Sequence, residues 1–209
     1  APLGGTYYKP TGNIYLAGVS NISISHGAVR FYLFNASTHR WENRTDIINY
    51  TDSLLNITDV SVVINESNMD LYAVYLRGRP TDITYAVYKK STDGGLTWSG
   101  ESKRLVNATG DDYRSIRTNF MHNETLYTNW VNEDPNENIY GSPINSTVQL
   151  GKFFEDEQMI DSNLFASEEQ SSASPAIVFI NSTVGYVFYI SHIGDEPRYR
   201  KTTDGGRTW

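Results

Sequence analysis

Residues 91–98 read Ser-Thr-Asp-Gly-Gly-Leu-Thr-Trp, and residues 202–209 read Thr-Thr-Asp-Gly-Gly-Arg-Thr-Trp. One string therefore occurs twice in 209 residues. Its composition is that of a capped turn. An aspartate at the entry of a tight turn accepts hydrogen bonds from backbone N–H groups further along the loop. The glycine pairs 94–95 and 205–206 supply conformations with positive φ that a side chain resists. Ser91, Thr97, Thr202 and Thr208 add hydroxyl hydrogen bonds. Trp98 and Trp209 can bury an indole beneath the loop, an anchor worth about 2–3 kcal/mol by area.

The two copies sit in a longer repeat. Four apolar runs contain a tyrosine at a comparable place: residues 13–20, 70–76, 125–131 and 184–191, with Tyr15, Tyr72, Tyr127 and Tyr186. The spacings are 57, 55 and 59 residues. A period of this length marks a repeated supersecondary unit. Three of these runs follow another β-like run, at 59–64, 113–120 and 174–180. All four precede a third, at 28–34, 83–90, 138–144 and 197–202. A turn comes next, and a fourth run follows the first three turns: 40–45, 96–100 and 148–154. Sustained helical periodicity is absent, and β-branched and aromatic residues fill the runs. The expectation is an all-β fold of four-stranded antiparallel units. Such units cannot bury both faces alone and stack as the blades of a β-propeller. About four blades fit within one domain, 1–209, roughly at 1–52, 53–110, 111–165 and 172–209. The last lacks its fourth strand, so a later segment or another chain is expected to complete it across an open edge.

The strings Ser91-x-Asp93-x-Gly95-x-Thr97-Trp98 and Thr202-x-Asp204-x-Gly206-x-Thr208-Trp209 resemble the Asp-box, or BNR repeat, of sialidase-type propellers. Residues 34–41, Phe-Asn-Ala-Ser-Thr-His-Arg-Trp, look like a decayed copy that keeps Trp41 without an aspartate, and the third unit has lost the box. The resemblance implies a peripheral staple rather than a catalytic loop. It also implies a search for a sialidase set: an arginine triad, a Tyr–Glu nucleophile pair and an aspartate. The N-terminal Tyr-Tyr-Lys-Pro has Lys9 where the first arginine is expected. The cluster Asp111, Asp112, Arg114, Arg117 is the nearest acidic–basic group, but residues three apart on a regular strand face opposite ways unless a bulge intervenes. Arg77 and Arg79 share a face but sit in the Arg-Gly-Arg-Pro turn at 77–80. No catalytic residue is assigned.

The remaining chemistry is bounded by composition. The net charge of −7 argues against a nucleic-acid partner. No run approaches the roughly 18 apolar residues of a membrane-spanning helix. The absence of cysteine removes disulfides and thiolate metal sites. His26, His39, His122 and His192 have no metal-ligand spacing. The acidic segment 155–169 (Glu155, Asp156, Glu157, Asp161, Glu168, Glu169) lacks calcium-loop spacing and reads as a solvated loop. No Gly-rich loop precedes a helix, so no cofactor is expected.

One count points outward. Asn-x-Ser/Thr occurs ten times, at Asn21, Asn35, Asn43, Asn49, Asn56, Asn65, Asn107, Asn123, Asn145 and Asn181. With 18 Asn and 39 Ser plus Thr, chance gives about 3. Shared use in turns explains a mild excess only. The expectation is an extracellular, heavily N-glycosylated surface protein with a structural or recognition role, in a layer or filament, with an archaeal surface as the suggested source. Its expected partners are covalent N-glycans, its own copies through the open edge, and a carbohydrate or surface-protein ligand. A fragment of a sialidase-like glycoside hydrolase is the alternative, and the enzyme question leans to no.

Overall fold

The computed structural model describes residues 3–23, 26–50, 56–78, 85–104, 113–120, 126–132, 138–144, 158–161, 175–191 and 196–209. Every regular element among them is a β-strand. The first sheet holds β1 (Leu3–Tyr8), β2 (Asn13–Ser23), β3 (His26–Asn35), β4 (Arg40–Asn43) and β5 (Ile48–Tyr50). The second holds β6 (Asn56–Ile64), β7 (Leu71–Gly78), β8 (Tyr85–Ser91) and β9 (Ser102–Arg104). The third holds β10 (Tyr113–Phe120), β11 (Leu126–Asn132), β12 (Asn138–Ile144) and β13 (Gln158–Asp161), and the fourth β14 (Ala176–Phe179), β15 (Gly185–Ser191) and β16 (Glu196–Thr202). Each sheet is an antiparallel meander in chain order, except that β4 and β5 both pair with β3. The chain divides into two compact units, 1–106 and 107–209, with two sheets in each.

In the first unit the two sheets pack face to face. Tyr15, Ala17 and Val19 of β2, with Val29, Phe31 and Leu33 of β3, meet Val60, Val62 and Ile64 of β6 and Leu71, Ala73 and Tyr75 of β7 in one core. The alternation of these positions is what a sheet with a buried face requires. Strand β7 is buried on both faces, from Leu71 through Leu76, and its sequence is accordingly a continuous apolar run. In the second unit Tyr127 of β11 packs on Phe179, with Ile177 and Trp209 alongside. Val187 and Tyr189 join Ile160 in an adjoining cluster.

Several strands depart from the sequence reading. Strand β1 falls outside the expected runs, because its Gly4-Gly5 pair is depleted in strands and interrupts the β-like pattern of Thr6, Tyr7 and Tyr8. Its glycine is what lets it form: a Cβ at Gly4 would lie 2.3 Å from the Val60 carbonyl oxygen, so the two sheets approach backbone to backbone there. The fourth strand of the second sheet is Ser102–Arg104 rather than 96–100. Residues 96–98 remain in the loop, which closes when Ser99 N–H donates to the Lys90 carbonyl and Lys90 N–H donates to Ser99 Oγ. The edge of the first sheet is shared by β4 and β5. The chain between them still bonds to β3, through Arg44 N–H to Phe31 O and Ile47 N–H to Val29 O. The segment 155–169 is not loop throughout: Gln158–Asp161 pairs with β12, and Ile160 is buried. The expected strand at 148–154 lies outside the described residues.

Candidate functional site

Both repeated loops fold the same way, and their chemistry is spent internally. Ser91 Oγ donates to Asp93 Oδ1 at 2.8 Å and accepts from Gly95 N–H at 2.8 Å. Asp93 Oδ1 also accepts from the N–H groups of Leu96 and Thr97, at 3.0 and 2.9 Å, while Oδ2 takes the Thr97 hydroxyl at 2.5 Å. In the second loop Thr202 takes the place of Ser91. Asp204 accepts from Arg207 N–H, Thr208 N–H and the Thr208 hydroxyl at 3.0, 3.0 and 2.6 Å. Gly94, Gly95, Gly205 and Gly206 all have φ between 71° and 86°.

Each loop seats on the neighbouring sheet of its own unit. Gly95 lies against the Phe31 ring, and Trp98 meets that ring edge-on at 5.1 Å. The Trp98 indole N–H donates to Thr45 O at 3.2 Å. Gly206 lies against the Tyr127 ring. Trp209 Nε1 donates to Tyr127 Oη at 3.1 Å, and Tyr127 Oη donates to the Gly206 carbonyl at 3.3 Å. Burial pushes the Tyr127 phenol well above its ordinary range, against a smaller opposite effect of the Trp209 hydrogen bond.

The hydrogen bonds to Thr97 (hydroxyl first, then backbone N–H) hold Asp93 down at about 2, and those to Thr208 do the same for Asp204. A carboxylate whose folded pKa is depressed stabilises the fold above its unfolded pKa and loses that contribution as pH falls towards the folded value. Stability should therefore be insensitive to these two groups above about pH 5 and decline through them between about pH 4 and 2. Thermal unfolding of the parent and of a variant carrying Asp93→Asn and Asp204→Asn checks this. The variant should lose the part of the acid-limb slope that the two aspartates supply; a superimposable slope would contradict it.

The sequons divide by environment. Asn43, Asn49 and Asn181 are exposed, Asn35 is half-buried and Asn65 is buried. Three of them form the same Asx turn. Asn35 Oδ1 accepts from Ser37 N–H and Oγ–H at 3.1 and 2.7 Å. Asn65 Oδ1 accepts from Ser67 N–H and Oγ–H at 3.0 and 2.9 Å. Asn181 Oδ1 accepts from Thr183 N–H and Oγ1–H at 2.9 and 3.0 Å. The hydroxyl residue of the sequon thus also serves the turn, a local use that supplies part of the excess. Asn21 and Asn56 lie on β2 and β6; Asn107, Asn123 and Asn145 lie outside the described residues.

The catalytic candidates fare differently. A bulge does intervene between Arg114 and Arg117: they stand opposite Val131 and Asn129, two apart on β11, so both positions belong to one face. Beside Arg117 the amide of Asn129 is fully buried, with neither Oδ1 nor Nδ2 hydrogen-bonded. An orphaned buried amide of this kind costs about 1–3 kcal/mol. The sequence signal was an asparagine two residues after Tyr127, on the same face, where an apolar residue belongs. A Tyr–Glu hydrogen bond also occurs, from Tyr75 Oη to Glu101 Oε1 at 2.9 Å. Tyr75 lies fully buried in the first core, which gives the pair a structural place. Arg77 lies on β7 and Asp161 on β13, while Arg79, Asp111, Asp112, His122, His192 and the other acidic residues of 155–169 lie outside the described residues. His39 closes the 36–39 turn with φ 55°. Among the described residues no His, Asp and Glu group could hold a metal ion. No helix among them is long and apolar enough to cross a membrane.

No family profile matches the sequence, and no curated protein matches it. Solved structures do match the fold. A Dyadobacter fermentans protein of unknown function aligns over 95% of this chain and 51% of its own, with 14% identity and a TM-score of 0.64. A Hadza microbial sialidase aligns over 99% of this chain and 45% of its own, with 15% identity and a TM-score of 0.63. An endo-arabinase from Bacteroides thetaiotaomicron aligns over 95% of this chain and 73% of its own, with 11% identity and a TM-score of 0.61. The chain spans about half the length of the first two. At these identities the likeness is one of fold: an all-β propeller of antiparallel blades.

Proposed function

We propose that the chain is the propeller region of an extracellular, N-glycosylated surface protein with a structural or recognition role. Its blades run at about 1–52, 53–110, 111–165 and 172–209. Loops 91–98 and 202–209 are Asp-boxes acting as staples, and the ten sequon asparagines are glycan acceptors. The observation that carries this reading is the sequon excess, with Asn43, Asn49 and Asn181 exposed on turns and edges. The staple role rests on Asp93 and Asp204, whose oxygens are taken up within their own loops. The ligand class is a carbohydrate or another surface protein, and a layer or filament is the assembly that suits a heavily glycosylated propeller.

Glycopeptide mapping of the protein from its own source tests the assignment site by site. Glycan is expected on Asn43, Asn49 and Asn181. Asn65 is buried in the folded chain, so its glycan is expected only where modification precedes folding. Unmodified peptides at all three exposed sites would remove the reading.

A second reading has its own support. The fold likeness to a sialidase and an arabinase, with positions 114 and 117 on one face beside the orphaned Asn129, fits part of a sialidase-like glycoside hydrolase. Turnover of a fluorogenic sialoside or neutral glycoside by the full-length protein would establish it, and its absence across such a panel would discard it.

A further inference from the structure

The repeated loops hold a reactive dipeptide as well as a turn. Asp-Gly occurs twice in the sequence, at 93–94 and 204–205, and both copies lie in these loops. A glycine has no side chain to shield its backbone nitrogen, so that nitrogen can reach the γ-carboxyl of the aspartate before it. Attack of Gly94 N on Asp93 Cγ forms a C–N bond, and the carboxyl hydroxyl leaves with the amide proton as water. The product is a five-membered imide. Water reopens it at Cγ, which restores aspartate, or at the Asp93 main-chain carbonyl carbon, which leaves the chain running through Cγ as isoaspartate. One water is released and one consumed, and no oxidant or reductant takes part.

The folded loop opposes this closure. The Asp93 carboxyl must turn its face towards Gly94 N, but four donors tie its oxygens: Ser91 Oγ–H, Leu96 N–H and Thr97 N–H on Oδ1, and the Thr97 hydroxyl on Oδ2. The same donors, the Thr97 hydroxyl foremost, keep the group ionised down to about pH 2. An ionised carboxylate has no hydroxyl to release as water. Asp204 is tied by the matching four, from Thr202, Arg207 and Thr208.

The two copies differ at the nucleophile. Gly205 N–H donates to the Thr183 carbonyl at 2.9 Å. Thr183 is itself fixed by Asn181, whose Oδ1 accepts its N–H and hydroxyl. Among the described residues Gly94 N–H has no hydrogen-bond partner. The corresponding hairpin of the second sheet, 65–70, is built differently, and its Asp70 pairs with Lys90 instead. An amide held by a carbonyl must break that bond before it can attack, so the second copy carries one lock more.

We infer that Asp93 is a site of spontaneous backbone isomerisation, held latent by the hydrogen bonds of its own loop and released when residues 91–98 open, and that Asp204 is the same kind of site under a second lock. Conversion undoes the staple. Isoaspartate adds a main-chain carbon between residues 93 and 94 and moves the free carboxyl onto Cα, so the N–H groups of Leu96 and Thr97 lose their shared acceptor. The inference does not rest on the proposed function.

The test ages the full-length protein and the free peptides 91–103 and 202–207 at mildly acidic pH and physiological temperature. Trypsin releases the same two peptides from the protein, after Lys90, Lys103, Lys201 and Arg207, and neither contains a sequon. Aspartate and isoaspartate forms have equal mass and separate by chromatography, with an unaged digest as baseline. Asp93 in the folded protein should convert at least about tenfold more slowly than in its peptide, in proportion to the rarity of loop opening. Asp204 should be slower still relative to its own peptide. Thr97→Val, which removes one of the four donors, should speed conversion at Asp93 by about threefold or more and leave Asp204 unchanged. Conversion of Asp93 at the peptide rate in the folded parent would overturn the inference. So would an Asp204 no better protected than Asp93, a comparison that uses the parent alone and stands whether or not the variant folds. A variant folded by circular dichroism that shows no faster conversion, or none by the time its peptide has equilibrated, would also overturn it.

Discussion

Replacing Gly95 with valine is expected to destabilise the first unit by about 3–5 kcal/mol, the sum of a left-handed backbone forced on a β-branched residue and an overpacked ring contact. Gly95 has φ 86°, and a Cβ there would lie 2.1 Å from Phe31 Cε1. The neighbouring glycine supplies the control. Gly94 has φ 71° and nothing within 4 Å of its Cβ position, so Gly94→Ala should cost only about 1 kcal/mol of backbone strain. Denaturant unfolding of the two variants separates the terms. Equal losses would mean that the loop does not rest on Phe31 as described.

The second large effect belongs to Tyr127. Its ring is fully buried between Phe179 and Trp209, and its hydroxyl joins Trp209 Nε1 to the Gly206 carbonyl. Tyr127→Ala should cost about 3–5 kcal/mol, as large aromatic truncations in cores do. Tyr127→Phe keeps the packing but leaves the indole N–H and a carbonyl without their partner, at about 1–3 kcal/mol. Equilibrium unfolding followed by tryptophan fluorescence reads both. A phenylalanine variant as stable as the parent would show that the hydroxyl bridge contributes nothing net.

How much of this was legible in the sequence follows the range of the interactions. The two loops were readable because their chemistry is local: Asp93 and Asp204 find their donors within four residues. The tyrosine ruler worked because Tyr15, Tyr72, Tyr127 and Tyr186 occupy the corresponding face of each sheet. What failed depends on partners distant in sequence. Gly4 makes sense only against Val60, 56 positions later. The bulge at β10 exists only in its pairing with β11, so the faces of Arg114 and Arg117 could not be settled from spacing. The strand at Gln158–Asp161 is a Met-Ile pair in an acidic stretch, and its burial comes from Val187 and Tyr189. The fourth strand of the second sheet was placed too early because Trp98 and Ser99 are spent closing the loop before pairing begins. At the candidate site, the turn role of the sequons was legible as a possibility of Asn, Ser and Thr chemistry, while the burial that sets Asn65 apart from Asn181 was not.

The claim on which the functional account turns is that this propeller is a glycoprotein. Intact-mass spectrometry of the protein from its own source, before and after chemical deglycosylation, measures that directly. The account predicts a heterogeneous mass well above that of the bare polypeptide, collapsing on deglycosylation towards the polypeptide value. A single species at the bare polypeptide mass in the untreated protein would contradict it.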